Sequence, residues 1–273
     1  MDQPGGEATR RALKEVWVFF GLTFLISWGV GAPWLFAPEP MTRLFGPFGP
    51  TSPVFFIAAW APTLAAVTLT LIKEGWPGVG RLLRGLVRWR PVGLLVAAFL
   101  IIPLIALLLA LLMPAIGPWP VPVAAILATT PMVLFTTAQI VTNTGPLGEE
   151  LGWRGYALPR LLTKWGPAVS GLIVGLVWTL WHVPAMLFSG IVGVSLAGLG
   201  WYALGTIGLS WLMTWLFVRT NGSLLIAGVI PHFVINGLGK TGAWMSRPEE
   251  TVALFVVGAT LIGVESWMQR RAA

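Results

Sequence analysis

Gly148-Glu149-Glu150-Leu151-Gly152-Trp153-Arg154-Gly155-Tyr156-Ala157-Leu158-Pro159-Arg160 sets two adjacent carboxylates, with an arginine four residues on, into a chain that is otherwise almost wholly apolar. Downstream stand the only two histidines, His182 and His232, each inside a hydrophobic run, and Asn236 follows the second. Ionisable groups in such surroundings are costly and ask for a functional reason. The apolar runs flanking the acidic stretch decide the fold, and the polar sites within them point to the chemistry.

The 273 residues are 56% hydrophobic and 10% charged, whereas soluble domains carry about 25% charged residues. This composition defines an all-α, polytopic membrane protein. The 16 tryptophans suit it, because indole rings favour the bilayer interface. Cysteine is absent, which excludes disulfides, thiolate metal sites and a cysteine nucleophile.

Apolar runs cover 16–37, 52–72, 91–113, 121–141, 168–188, 195–218, 223–238 and 251–268, and most approach the ~20 residues needed to cross a bilayer. The expected architecture is about eight transmembrane helices in one bundle over 16–268, with tails at 1–15 and 269–273. Thr9-Arg10-Arg11 resembles a twin-arginine signal only in outline. The run after it is too long for a signal core and lacks a small-residue cleavage site, so an uncleaved first helix is expected.

Charge sets the orientation. With the N-terminus inside, cytoplasmic segments hold Arg10, Arg11, Lys14, Lys73, Arg81, Arg84, Arg88, Arg90, Arg154, Arg160, Lys164, Arg219, Arg270 and Arg271. Of the 17 basic residues, Arg43, Lys240 and Arg247 alone fall outside. That bias places both termini in the cytoplasm, and it leans toward a cytoplasmic opening for any cavity. The net charge of +7 thus reads as topology and not as nucleic-acid binding. Arg81, Arg84 and Arg88 recur at helical spacing, as in a basic helix lying on an anionic leaflet. Gly171 and Gly175, and Gly198, Gly200, Gly205 and Gly208, suit close helix packing within the bundle.

Gly145-Pro146 has the form of a helix start. Neighbours on a helix point about 100° apart, so Glu149 and Glu150 are not expected to share one task. Glu150 and Arg154 have the favourable order for an ion pair, leaving Glu149 available as a base or ligand. An interfacial helix with an exposed charge pair is the plain alternative. Glu265, near the C-terminal membrane boundary, reads as interfacial. Trp178 and His182 share a helix face, as do His232 and Asn236. Each histidine alone could be a polar contact between helices. Together the groups make a plausible hydrolytic set, which can run in two ways. Glu149 and His182 can activate water while His232 and Asn236 stabilise an oxyanion. Alternatively, Glu149, His182 and His232 can hold a divalent metal such as zinc, although the His-Glu-x-x-His signature is missing.

These residues resemble the CPBP (CAAX protease and bacteriocin-processing) family of intramembrane proteases. Glu149-Glu150-x-x-x-Arg154 is similar to its first motif, and Trp178-x-x-x-His182 to its second, where phenylalanine is usual. His232-x-x-x-Asn236 is similar to the third, preceded by Arg219-Thr220-Asn221-Gly222-Ser223-Leu224. The resemblance spans about 147–238. It implies an eight-helix fold with a cavity inside the bilayer and peptide-bond hydrolysis by Glu149, His182, His232 and Asn236. Glu150, Arg154 and Trp178 would support them. It also implies a protein or peptide substrate at the membrane, here expected to be a bacterial cell membrane. Trimming of prenylated C-termini in the eukaryotic branch, and bacteriocin maturation or immunity in bacteria, are its known settings.

A non-proteolytic immunity or partner-binding protein on the same scaffold is the main alternative. A proton-coupled transporter is a further one; it predicts inverted repeats, and the sequence has none discernible. One geometric tension follows. His182 lies about 14 residues into its span, roughly 21 Å by helical rise. Glu149 can reach it only if the motif helix is sunk into the protein or the span boundaries around 141–164 are wrong.

Overall fold

The helix Val92–Leu112 shows how the sequence builds the bundle. It is apolar all round, as a membrane helix must be. Its small and branched residues Ala98, Ile102, Ala106 and Ala110 are buried, whereas Leu104, Leu108 and Leu111 are more than half exposed. Apolar side chains on the outside are expected where the solvent is lipid and backbone groups must be satisfied within helices.

A computed structural model of the protein describes residues 4–49, 52–135, 144–189, 195–244 and 247–272. The helices are α1 (Pro4–Phe36), α2 (Pro38–Phe45), α3 (Pro53–Ala59), α4 (Ala61–Arg84), α5 (Val92–Leu112) and α6 (Val123–Phe135). There follow α7 (Thr144–Glu150), α8 (Leu158–Leu161), α9 (Pro167–Ser189), α10 (Leu196–Arg219), α11 (Ile230–Lys240) and α12 (Pro248–Ala272). Five of these, α1, α5, α9, α10 and α12, are long and apolar enough to cross a membrane. The pair α3 and α4, bent by 61°, has the form of a broken span or a re-entrant loop and is a sixth crossing in the first case, and 123–133 and 225–240 are shorter apolar helices. These segments occupy the eight runs expected from the sequence, although 136–141 of the fourth run lie outside the described residues. The polar residues at 4–15 are the first turns of α1 and not a separate tail.

Packing fixes the helix directions. Ser210 Oγ donates to the Gly171 carbonyl, Trp211 Nε1 donates to that of Ala168, and His182 packs on Tyr202, so α9 and α10 are antiparallel. Gly205 faces Thr251, Gly208 abuts the backbone at Phe255, and Arg219 pairs with Glu265 at 2.8 Å, so α10 and α12 run parallel. Glu265 is accordingly a buried ion-pair partner near the end of the bundle. Gly171 and Gly175 pack on Thr214 and Ile207 within the chain, as expected of glycines that let helices approach.

One end of the bundle is basic. Glu15 bonds Lys73 at 2.7 Å and Arg160 at 3.0 Å, and Glu74 bonds Arg81 at 2.7 Å. The α4 axis turns at Gly75, whose φ of 64° is costly for residues with a Cβ. Arg88 then donates to the Asn221 carbonyl, and its own carbonyl accepts from Ser223 Oγ. Thus the arginine stripe, read from sequence as a surface helix, also braces the turn after α10. That turn carries Asn221 and Gly222 at φ of 50° and 85°.

Candidate active site

The segment that continues α7 crosses the interior of the bundle. Leu151–Ala157 is a π-helix between α7 and α8, and a second π-helix, Leu225–Val229, leads into α11. π-Helical turns often mark functional sites. The two abut: a Cβ on Gly228 would lie 2.8 Å from Glu150 Oε2, and one on Gly155 would lie 3.1 Å from Leu224. On the other side Gly152 leaves no room for a Cβ beside Pro62. Glycine on three sides is what lets this charged segment sit among other helices. Thr63 Oγ1 donates to the Leu147 carbonyl at 2.7 Å, fixing its upper end. Arg160 ties its lower end to Glu15.

The tension over 141–164 resolves in favour of a sunken helix. Glu149 is buried and Arg154 fully so. Arg154 therefore does not belong with the arginines at the basic end, and the pair Glu150–Arg154 is not an exposed one. Two charges at that depth persist because they meet: Arg154 Nη1 lies 3.1 Å from Glu150. Its guanidinium carbon is also 4.4 Å from the centre of the Trp178 ring, a cation–π contact.

The two carboxylates do converge, contrary to the expectation from their helical phase. Glu150 Oε1 is 2.8 Å from His232 Nδ1, and Glu149 Oε1 is 4.0 Å from His232 Nε2. The imidazole lies between them, with one ring nitrogen toward each, so adjacent residues on one strand of backbone reach opposite sides of a single ring. A carboxylate only accepts, so His232 Nδ1 carries a proton in that bond. Glu149 is not without a partner either, because Trp178 Nε1 donates to its Oε2 at 2.6 Å. The sequence identified Trp178 by its face and aromatic character; its role as a donor to Glu149 needed coordinates.

His182 Nδ1 is 2.9 Å from the Trp178 carbonyl, one turn back on its own helix. A carbonyl can only accept, so Nδ1 holds the proton and Nε2 presents a lone pair. The ring packs against Trp181 and Tyr202 at centroid distances of 4.7 and 5.5 Å. Tyr202 was not singled out by the sequence, since a lone tyrosine in an apolar run carries no periodic signal. His182, His232, Asn236 and Trp178 all line one cavity of about 590 Å³. Gly145 lies against two of these side chains: a Cβ there would lie 2.9 Å from His232 Nε2 and 3.1 Å from Asn236 Nδ2.

Among the described residues, no three His, Asp or Glu side chains gather into a metal-holding group. Both imidazoles have Nδ1 engaged within the protein, by Glu150 and by the Trp178 carbonyl. Those bonds leave only Nε2 of each ring as a ligand atom, as is usual for metal-binding histidines, but among the described residues Glu149, His182 and His232 are not grouped into the three-ligand zinc site that their identities allowed.

The cavity does not open toward the basic end. Its walls are the N-terminal halves of α10 and α12 and the C-terminal half of α11, and Gly239, Lys240 and Pro248 stand at its mouth. On the basic side of the site the bundle is filled, so the cavity reaches the surface toward the other end.

Helix content, lipid-facing apolar surface and a buried carboxylate–imidazole site define a polytopic membrane protein with an interior polar centre. Residues 131–238, which carry all three motifs, match the family described as type II CAAX prenyl endopeptidase Rce1-like. A stretch of 121 residues is 30% identical to CAAX prenyl protease 2 of Methanococcus maripaludis, covering 42% of this chain and 44% of that relative. The chain thus matches under half of that relative's length. Over this motif-bearing core, the chain is similar to type II CAAX prenyl endopeptidases.

Proposed function

We propose that the protein is an intramembrane endopeptidase that hydrolyses a peptide bond of a membrane-associated protein or peptide. The observation that carries this reading is the Glu149 carboxylate, held by Trp178 and facing His232 beside a cavity lined by His182 and Asn236. Glu149 takes a proton from water as the oxygen attacks the scissile carbonyl carbon. His182 Nε2 accepts the water's other hydrogen in a hydrogen bond and so orients it. The oxyanion that forms is bound by His232 Nε2–H and Asn236 Nδ2–H. Glu149 then passes its proton to the leaving nitrogen as the carbon–nitrogen bond breaks.

For His232 to donate from Nε2 while Nδ1 donates to Glu150, the ring must be an imidazolium. The buried cluster is then two carboxylates matched by an arginine and an imidazolium. Such neutrality suits a low-dielectric interior, where an uncompensated charge is costly. Glu150 and Arg154 act as positioning residues for His232. By the positive-inside rule, the basic end faces the cytoplasm and carries both termini.

The deciding experiment compares the wild type with Glu149→Gln, purified in detergent, on a quenched fluorogenic apolar peptide. Loss of the base should cut turnover by about 10²–10⁴-fold with an unchanged melting temperature. A Glu149→Gln protein that cleaves at the wild-type rate would remove the protease assignment and favour a non-proteolytic scaffold. On the same reading, incubation with a strong chelator leaves the rate unchanged; a rate lost on chelation and restored by zinc would restore the metal route.

A further inference from the structure

The site lies nearer one end of the bundle than the other. Tyr202, which packs on His182, is six residues from the start of α10, about 9 Å by helical rise. It is 17 residues, about 26 Å, from Arg219 at the basic end. Likewise Thr63, bonded beside Glu149's helix, is ten residues, about 15 Å, from Lys73. Below the site the interior is closed. Trp153, Tyr156, Leu158, Met213, Leu216 and Ile226 are each at most 1% exposed, and the Glu15–Lys73–Arg160 network seals the floor. Above it, the cavity widens between Trp201, Leu209, Ile235, Trp244 and Leu254 and reaches the surface beside Lys240.

We infer that the substrate enters from the leaflet opposite the basic face, as an apolar membrane-embedded polypeptide segment whose scissile bond lies in that leaflet. This deepens the proposed hydrolytic reading and rests on it for the word substrate; the direction of access rests only on the cavity and on the charge distribution. The walls are mostly hydrocarbon and indole, and the cavity volume of about 590 Å³ falls within the ~300–1,000 Å³ range of ligand sites. Such walls suit an apolar chain, and His182, His232 and Asn236 lie together beside Glu149, where a carbonyl would react. With arginines and lysines marking the cytoplasmic side, the open end belongs to the non-cytoplasmic leaflet. A C-terminus presented in the cytoplasm would meet the sealed floor.

The absence of native cysteine makes a direct test possible. Single variants Thr206→Cys in the cavity wall, Lys240→Cys at the mouth and Lys164→Cys near the basic end would be expressed in cells. Each would be treated with a membrane-impermeant methanethiosulfonate bearing a quaternary ammonium, before and after permeabilisation. Full labelling of positions 206 and 240 in intact cells, with none at 164, is the expected result. Lys240→Cys, on the exposed rim, covers the case in which the wall variant fails to fold. Labelling of 206 or 240 only after permeabilisation overturns the inference and leaves hydrolysis at Glu149 standing. Conversely, the expected pattern with an inactive wild-type protein would retain the direction of access and sink the protease reading.

Discussion

Trp178 touches more of the site than any residue expected to do chemistry. Its indole N–H holds Glu149, its face carries Arg154, its edge meets His232, and its carbonyl sets the His182 tautomer. Spacing alone placed Trp178 and His182 on one helix face, and the rarity of polar groups in the apolar runs already grouped Glu149 with His182, His232 and Asn236. The hydrogen bond was not legible, because a one-dimensional pattern records which face a side chain occupies and not which atom it offers across the core. Phenylalanine, usual at this position in the family, lacks that donor. Trp178→Phe keeps the ring and removes the bond, which as a hydrogen bond to a charged group is worth about 1.5–3 kcal/mol. Turnover should fall by about tenfold to a hundredfold, with KM nearly unchanged and a modest fall in melting temperature. Unaltered turnover would show that the bond positions nothing. Arg154 makes a different prediction. Arg154→Met strands Glu150 in the interior and should cost about 3–5 kcal/mol of stability. Adding Glu150→Gln should recover part of the loss in thermal denaturation; a purely additive pair would mean that their contact does not hold the segment.

The acidic segment was the element least readable in advance. Its charges placed it in a cytoplasmic loop, because a hydropathy window cannot distinguish a polar loop from a polar helix enclosed by others. What encloses it is the glycine pattern: Gly152 against Pro62, Gly155 against Leu82 and Leu224, and Gly228 against Glu150. Those glycines have no shared period, since they serve three neighbours in three directions. The two π-helices were equally hidden, as no residue type signals a widened turn. Gly145 tests this packing at the site itself. The added methyl of Gly145→Ala would press on both His232 and Asn236, at an overpacking cost of about 1–3 kcal/mol. Cleavage should be lost while the protein still inserts and melts cooperatively. An active Gly145→Ala enzyme would indicate that the oxyanion does not form beside these two side chains.

For the molecule as a whole, the apolar runs translate into crossings with little loss, because backbone in lipid permits few alternatives to the helix. The arginines and lysines do gather at one end, once Arg154 is assigned to the core, and that end carries the first turns of α1 and the last of α12. What the charge pattern could not convey is where the empty space lies. Charge reports the face retained in the cytoplasm during insertion, whereas the cavity follows from which helix halves carry small or distant side chains. An even number of crossings places both ends of the chain on one side of the membrane. Green fluorescent protein, which matures only in the cytoplasm when exported through the general secretory route, fused to either end should give fluorescent cells, and alkaline phosphatase at the same positions should be inactive. If one end is fluorescent and the other supports phosphatase activity, the crossing count is odd. The fourth crossing, assembled from α6 and the sunken acidic segment, would then be the one that fails to traverse.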